Sequence, residues 1–130
     1  MHKVLQPDGW PRPKGYANGI LAEGKMVFTA GVVGWNEQEI FESEDLVGQF
    51  RQAITSMLKI LEEAGAKPEH IVRMTWYITD REDYSRNLKE IGAVWRELLG
   101  KVYPCMACIQ VAGLIEKQAK IEIETTAIIP

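Results

Sequence analysis

The segment Tyr103–Pro130 (YPCMACIQVAGLIEKQAKIEIETTAIIP) most constrains what this chain can fold into. It holds two strand-like runs, Cys105–Val111 and Ala119–Ile128, on either side of a short loop at Gly113–Gln118. Side chains alternate direction along a strand. Met106, Cys108 and Gln110 therefore share one face, and Cys105, Ala107, Ile109 and Val111 the other. In the second run Ile121, Ile123 and Ala127 oppose Glu122, Glu124 and Thr126. The apolar sets are expected in the core. A thiol, an amide and two carboxylates are more polarity than a sheet buried on both sides needs, so part of any chemical site is expected on that polar face.

The rest of the chain alternates short strands with two helical stripes. Pro7, Gly9, Pro11, Pro13 and Gly15 make the opening segment turn-rich and extended, although Trp10 needs something to pack on. Tyr16–Leu21 reads as a strand, Glu23-Gly24-Lys25 as a hairpin turn, and Met26–Val33 as a stronger strand in which Gly31 marks a bulge or a close approach. A loop from Gly34 to Glu42 carries Trp35. Ser43 is placed to cap a first helix that Gly65 ends, with Leu46, Phe50, Ala53, Ile54, Met57, Leu58 and Leu61 on one stripe. Ile71–Thr79 alternates as a strand, and His70 before it reads as a surface loop residue. A second helix is predicted over Asp83–Leu99, with Leu88, Ile91, Val94, Trp95 and Leu98 inward and Gly100 at its end.

The order β-β-α-β-α-β-β gives an α+β layer pair, two helices on one face of a mixed sheet, in a single domain over residues 1–130. One helix layer leaves the other sheet face uncovered. Apolar residues there favour an oligomer with sites between subunits.

Composition excludes several classes of function. A net charge of −3 with no Lys/Arg cluster argues against nucleic acid as a partner. The N-terminal stretch lacks the apolar core of a signal peptide, and no apolar run approaches the roughly 20 residues of a membrane span. The expected location is cytoplasmic. The two cysteines form a C-x-x-C, but a strand sends them to opposite faces, and zinc would need two further ligands that His2 and His70 are not spaced to provide. No metal and no cofactor are expected.

Several stretches together are similar to the Rid family (RidA/YjgF, reactive-intermediate deaminases, also called L-PSP endoribonucleases). They are GYANGI, MVFTAGVVGWN, FRQAITSMLKILEEAGAKPEHIVRMTWYITD, AVWRELLG and YPCMACIQVAGL with KIEIETTAI, which span almost the whole chain. The resemblance implies a chorismate-mutase-like fold and a homotrimer whose sheets form an inner barrel, with clefts between neighbouring subunits. Deaminating members hydrolyse enamines and imines of 2-amino acids to ammonia and a 2-keto acid, without metal or organic cofactor. In them an arginine clamps the substrate carboxylate, a glutamate positions water, and a tyrosine and a serine complete the cleft.

Carried over residue by residue, the tyrosine falls on Tyr16, the glutamate on Glu122 and a frequent cleft cysteine on Cys108. The serine position is Ala30, an asparagine position is Gly92, and the arginine position is Met106. A thioether cannot replace the two charge-assisted hydrogen bonds of a guanidinium, a loss on the order of 2–5 kcal/mol. Arg12, Arg73 or Arg96 could supply the charge from elsewhere, although nothing in the sequence places them at the cleft. Met106 is therefore expected to select a less anionic or more aromatic substrate. Trp35 and Gln110 are the remaining candidates for lining the pocket.

Glu122 suits orienting or deprotonating a water, and equally a carboxylate on a solvated face. Tyr16 suits either a ligand hydrogen bond or the sheet edge. The expected function is hydrolysis of an imine, enamine or related reactive metabolite, Glu122 positioning water and Tyr16 polarising the substrate. The rival is a non-catalytic, small-molecule-binding or chaperone-like trimer. Cleavage of RNA is disfavoured by the acidic charge.

Overall fold

In a computed structural model that describes residues 1–130, the chain runs β1 (Lys3–Leu5), β2 (Gly19–Leu21), β3 (Lys25–Phe28), β4 (Val32–Val33), α1 (Leu46–Glu63), a 3₁₀ turn (Pro68–His70), β5 (Ile71–Ile78), α2 (Arg81–Arg86), α3 (Leu88–Leu99), β6 (Cys105–Gln110) and β7 (Ile121–Ile129). The main sheet has the order β3-β7-β5-β6, with β4 also paired to β7. Only β5 and β6 run parallel. That pair needs a crossover, which α2 and α3 supply.

The first helix forms where its stripe predicts, but its cap is Asp45 rather than Ser43. The Asp45 carboxylate accepts the Gly48 N–H at 2.6 Å. At the other end Gly65 adopts φ 75°. Its N–H reaches the Glu62 carbonyl at 2.9 Å and the Ala66 N–H that of Leu61 at 3.0 Å, a Schellman stop. Leu46, Phe50, Ala53, Ile54, Met57 and Leu61 are buried against the sheet. Each large side chain so buried stabilises the fold by about 1.5–3 kcal/mol. Trp76 of β5 lies between Phe50 (ring centroids 4.9 Å) and Trp95 of α3 (5.7 Å), fixing both helices on one face.

Several expectations change in detail. Tyr16–Leu21 does not join the main sheet. Only Gly19–Leu21 is a strand, paired antiparallel with β1 in a separate ribbon, while Ala17 makes a lone bridge to Cys105. The run Met26–Val33 breaks between Phe28 and Val32, with Thr29 Oγ1 accepting the Thr125 N–H at 3.1 Å. The second helix starts at Arg81 under the Asp80 carboxylate and divides at Asn87, whose φ/ψ of −111°/13° separates α2 from α3. His70 is buried, its Nδ1 accepting the Lys67 N–H at 2.9 Å.

Gln49 gave no signal in sequence. It is fully buried, and its amide donates to the carbonyls of Ser43 (3.1 Å) and Gln118 (2.9 Å) and accepts the Lys120 N–H (2.7 Å). One side chain thus ties the start of α1 to the loop entering β7.

Candidate active site

Strand register decides which functional side chains meet. In β6 the parallel register sets Met106 beside Met74, Cys108 beside Trp76 and Gln110 beside Ile78. Those partners are buried under the helices, so the Met106–Cys108–Gln110 set faces the helix layer. In β7 the antiparallel register sets Glu122 beside Tyr77 and Glu124 beside Thr75. These face the other way. The expectation that Glu122 and Cys108 share a polar face is therefore corrected: the sheet separates them. The companion expectation that Ala107 and Ile109 lie in the core also reverses, since both are exposed on the uncovered face.

On the helix side a cavity of about 470 Å³ opens at the sheet edge. It brings together four of the candidates: Tyr16, Gly92, Met106 and Cys108. Trp76, Leu88, Ile91 and Trp95 make its walls apolar, and Lys14 and Arg96 are its cations. Gly15, Tyr16, Arg96 and Tyr103 also line an adjoining cavity of about 590 Å³, which adds Arg12. The Trp76 indole N–H, in the wall of the first cavity, is buried without an acceptor.

Tyr84, unmarked in sequence, enters this site because α2 turns it toward β6. Burial raises its phenol far above the ordinary range, and proximity to Cys108 adds to this. Burial likewise pushes the Cys108 thiol up, with the Tyr84 hydroxyl drawing it partly back. Cys108 is consequently a neutral thiol near pH 7 and a poor nucleophile. Cys105 points to the opposite face, and no group of three or more His, Cys, Asp or Glu is placed to hold a metal ion.

On the uncovered face Glu122 lies across Gly31. A Cβ at position 31 would overlap the carboxylate. This is the close approach that the glycine predicts, and Ala30 is exposed beside it. Tyr77 donates to Glu124 at 2.8 Å, and that bond is the main cause of a raised phenol pKa. The same face exposes Met26, Phe28 and Ile109 at 61%, 64% and 45%.

Two candidates lie outside both groups. Trp35 packs on Phe41, ring centroids 5.7 Å apart, in the loop before α1. Gln110 accepts the Arg81 N–H at 2.6 Å and so caps the start of α2. Neither lines the cavity that holds Met106. No helix is long and apolar enough to cross a membrane.

Residues 11–129 match the family model described as Endoribonuclease L-PSP. The chain is 31% identical over 129 residues to the 2-iminobutanoate/2-iminopropanoate deaminase of Salmonella typhimurium, covering 98% of each protein. It is 30% identical over 128 residues to the RutC family protein PM1466 of Pasteurella multocida, again covering 98% of each. Among solved structures, YyfB from Yersinia pestis, of the conserved Rid protein family, superposes with a TM-score of 0.86 at 26% identity, with 98% of each chain covered. Escherichia coli TdcF with bound serine gives 0.70 at 28% identity, with 98% of this chain and 99% of that one covered. The fold is the chorismate-mutase-like one of these neighbours.

Proposed function

We propose that this chain, which belongs to the Rid (YjgF, L-PSP) family, hydrolyses the C=N bond of a reactive imine, or of the enamine that tautomerises to it. The reaction needs no redox partner. Water adds its oxygen to the imine carbon and a proton passes to nitrogen; the carbinolamine then collapses to a carbonyl and ammonia. Glu122 is suited to take the proton from the attacking water and return it to the leaving nitrogen. Tyr16 is suited to donate a hydrogen bond at the substrate.

The single observation that carries this reading is the division of the candidates between two faces of one sheet. Tyr16, Met106 and Cys108 line the cavity on the helix side, while Glu122 faces the other way. Within one copy Glu122 has no route to that cavity. A second copy laid with its uncovered face against the first would bring its own Glu122 to the open sheet edge. The exposed Met26, Phe28 and Ile109 would be covered by the same contact. The proposed assembly is the homotrimer, with three such clefts and the protein's own copies as its partners.

The test is ammonia release from freshly generated 2-aminoacrylate and from aliphatic and aromatic imines, with oligomeric mass measured by light scattering. Acceleration of at least one substrate by a trimer is expected, and Glu122→Gln should lower it on the order of 10²–10⁴-fold without changing the mass. A monomer, or full activity in Glu122→Gln, would exclude the mechanism.

A further inference from the structure

The helix-side cavity belongs to an acidic protein, yet Lys14 and Arg96 line it and no carboxylate does. The adjoining cavity repeats this, with Arg12 and Arg96 and again no Asp or Glu. Arg96 takes part in none of the three ion pairs of the chain, which join Arg51–Glu97, Lys59–Glu37 and Arg86–Asp83. Its guanidinium thus stands at the junction of two cavities without a counter-charge.

The placement has a local cause. Arg96 follows Gly92 by one helical turn on α3, and a Cβ at position 92 would come within 3.3 Å of Arg96 Nη1. That is tighter than ordinary contact. Glycine in a helix interior costs about 1 kcal/mol relative to alanine. Here its absent side chain leaves room beside the guanidinium, which an added Cβ would press aside by a few tenths of an ångström.

From these observations we infer that Arg96 is the residue that holds the substrate's carboxylate, and that the substrate joins this anion to an aromatic or large apolar tail. The planar guanidinium offers two parallel, charge-assisted donors to a carboxylate. Trp76, Leu88 and Met106 form the surface on which the tail packs. The uncharged Met106 then sets the tail's character, while the anion is taken from the helix rather than from the strand. This inference rests on the proposed reading only in placing the substrate in the same cavity.

Binding of phenylpyruvate, the keto acid such hydrolysis would yield from an aromatic imine, tests it by calorimetry without requiring turnover. The native protein should bind phenylpyruvate, and its uncharged amide at least 10-fold more weakly. Arg96→Gln should lose at least 10-fold for the acid alone, and Gly92→Asn, which crowds the guanidinium, should lose several-fold. Failure of the native protein to bind the acid, or unchanged binding in Arg96→Gln, overturns the assignment. The two proposals fail separately. Phenylpyruvate binding that depends on Arg96, with no imine hydrolysed, removes the enzymatic reading alone; hydrolysis with an unchanged KM for the phenylalanine-derived imine in Arg96→Gln removes this one alone.

Discussion

Gly31 and Glu122 are held against each other, the carboxylate lying where a side chain at position 31 would begin. The contact joins the break between β3 and β4 to the start of β7, and it sets where the proposed general base points. Gly31→Ala must therefore displace the Glu122 side chain, although the backbone at 31 requires no unusual φ. Imine hydrolysis should fall by at least 10-fold, because misplacing a reacting group by about 1 Å can cost 10²-fold. Thermal unfolding should shift much less. Unchanged turnover in Gly31→Ala would separate Glu122 orientation from catalysis.

Cys108 should behave as an accessible thiol that ionises late. Burial raises its pKa, so alkylation by iodoacetamide should reach half its maximal rate above the roughly pH 8.5 of a free cysteine. Tyr84→Phe removes the hydroxyl that partly offsets burial and should move that midpoint higher. The sign for stability follows from the same shift. The unfolded thiol ionises before the folded one, so the Cys108 contribution is whole below the unfolded pKa and is lost as pH rises toward the folded value. A Cys108→Ala variant should accordingly lose less stability than the native protein between pH 8 and pH 10, measured by urea unfolding.

Gln49 should be a stability residue with no part in turnover. Gln49→Leu keeps the volume but strands the Ser43 and Gln118 carbonyls and the Lys120 N–H that the amide satisfies. A fully buried group left unpaired costs about 1–3 kcal/mol, and because these three are only partly buried the expected loss in chemical denaturation is about 2–5 kcal/mol, below three full penalties. A loss under 0.5 kcal/mol would mean that water replaces the amide.

Much of this molecule could be read before it was seen. The stripe from Leu46 to Leu61 marks α1 and its buried face, because a 3.6-residue period admits one orientation against a sheet. Alternation through Met74, Trp76 and Ile78 marks β5 in the same way. Gly31 announces a close approach. The family resemblance rests on residues spread over the whole chain, and with it came Tyr16, Met106, Cys108 and Glu122 as candidates. Gln49 and Tyr84 carried no such mark, since an amide and a phenol on helices read as ordinary surface until their neighbours are placed. Arg96 stood only as one of three arginines, with Arg12 and Arg73, that could supply the missing charge, and nothing in the sequence places it at the cleft.

What the sequence determined by itself is parity within each strand: Glu122 opposes Ile123, and Cys108 opposes Ala107 and Ile109. Which face each set takes depends on pairing with β5, through backbone hydrogen bonds that carry no residue identity. The tertiary structure decided this by setting Cys108 level with Trp76 and Glu122 level with Tyr77, on opposite sides of one sheet. It also decided that Arg96, on a helix remote in sequence from Tyr16, lines the same cavity as Met106 and lies beside Gly92. Period-two patterning is local chemistry; the meeting of charges across elements is geometry, and only the packed chain contains it.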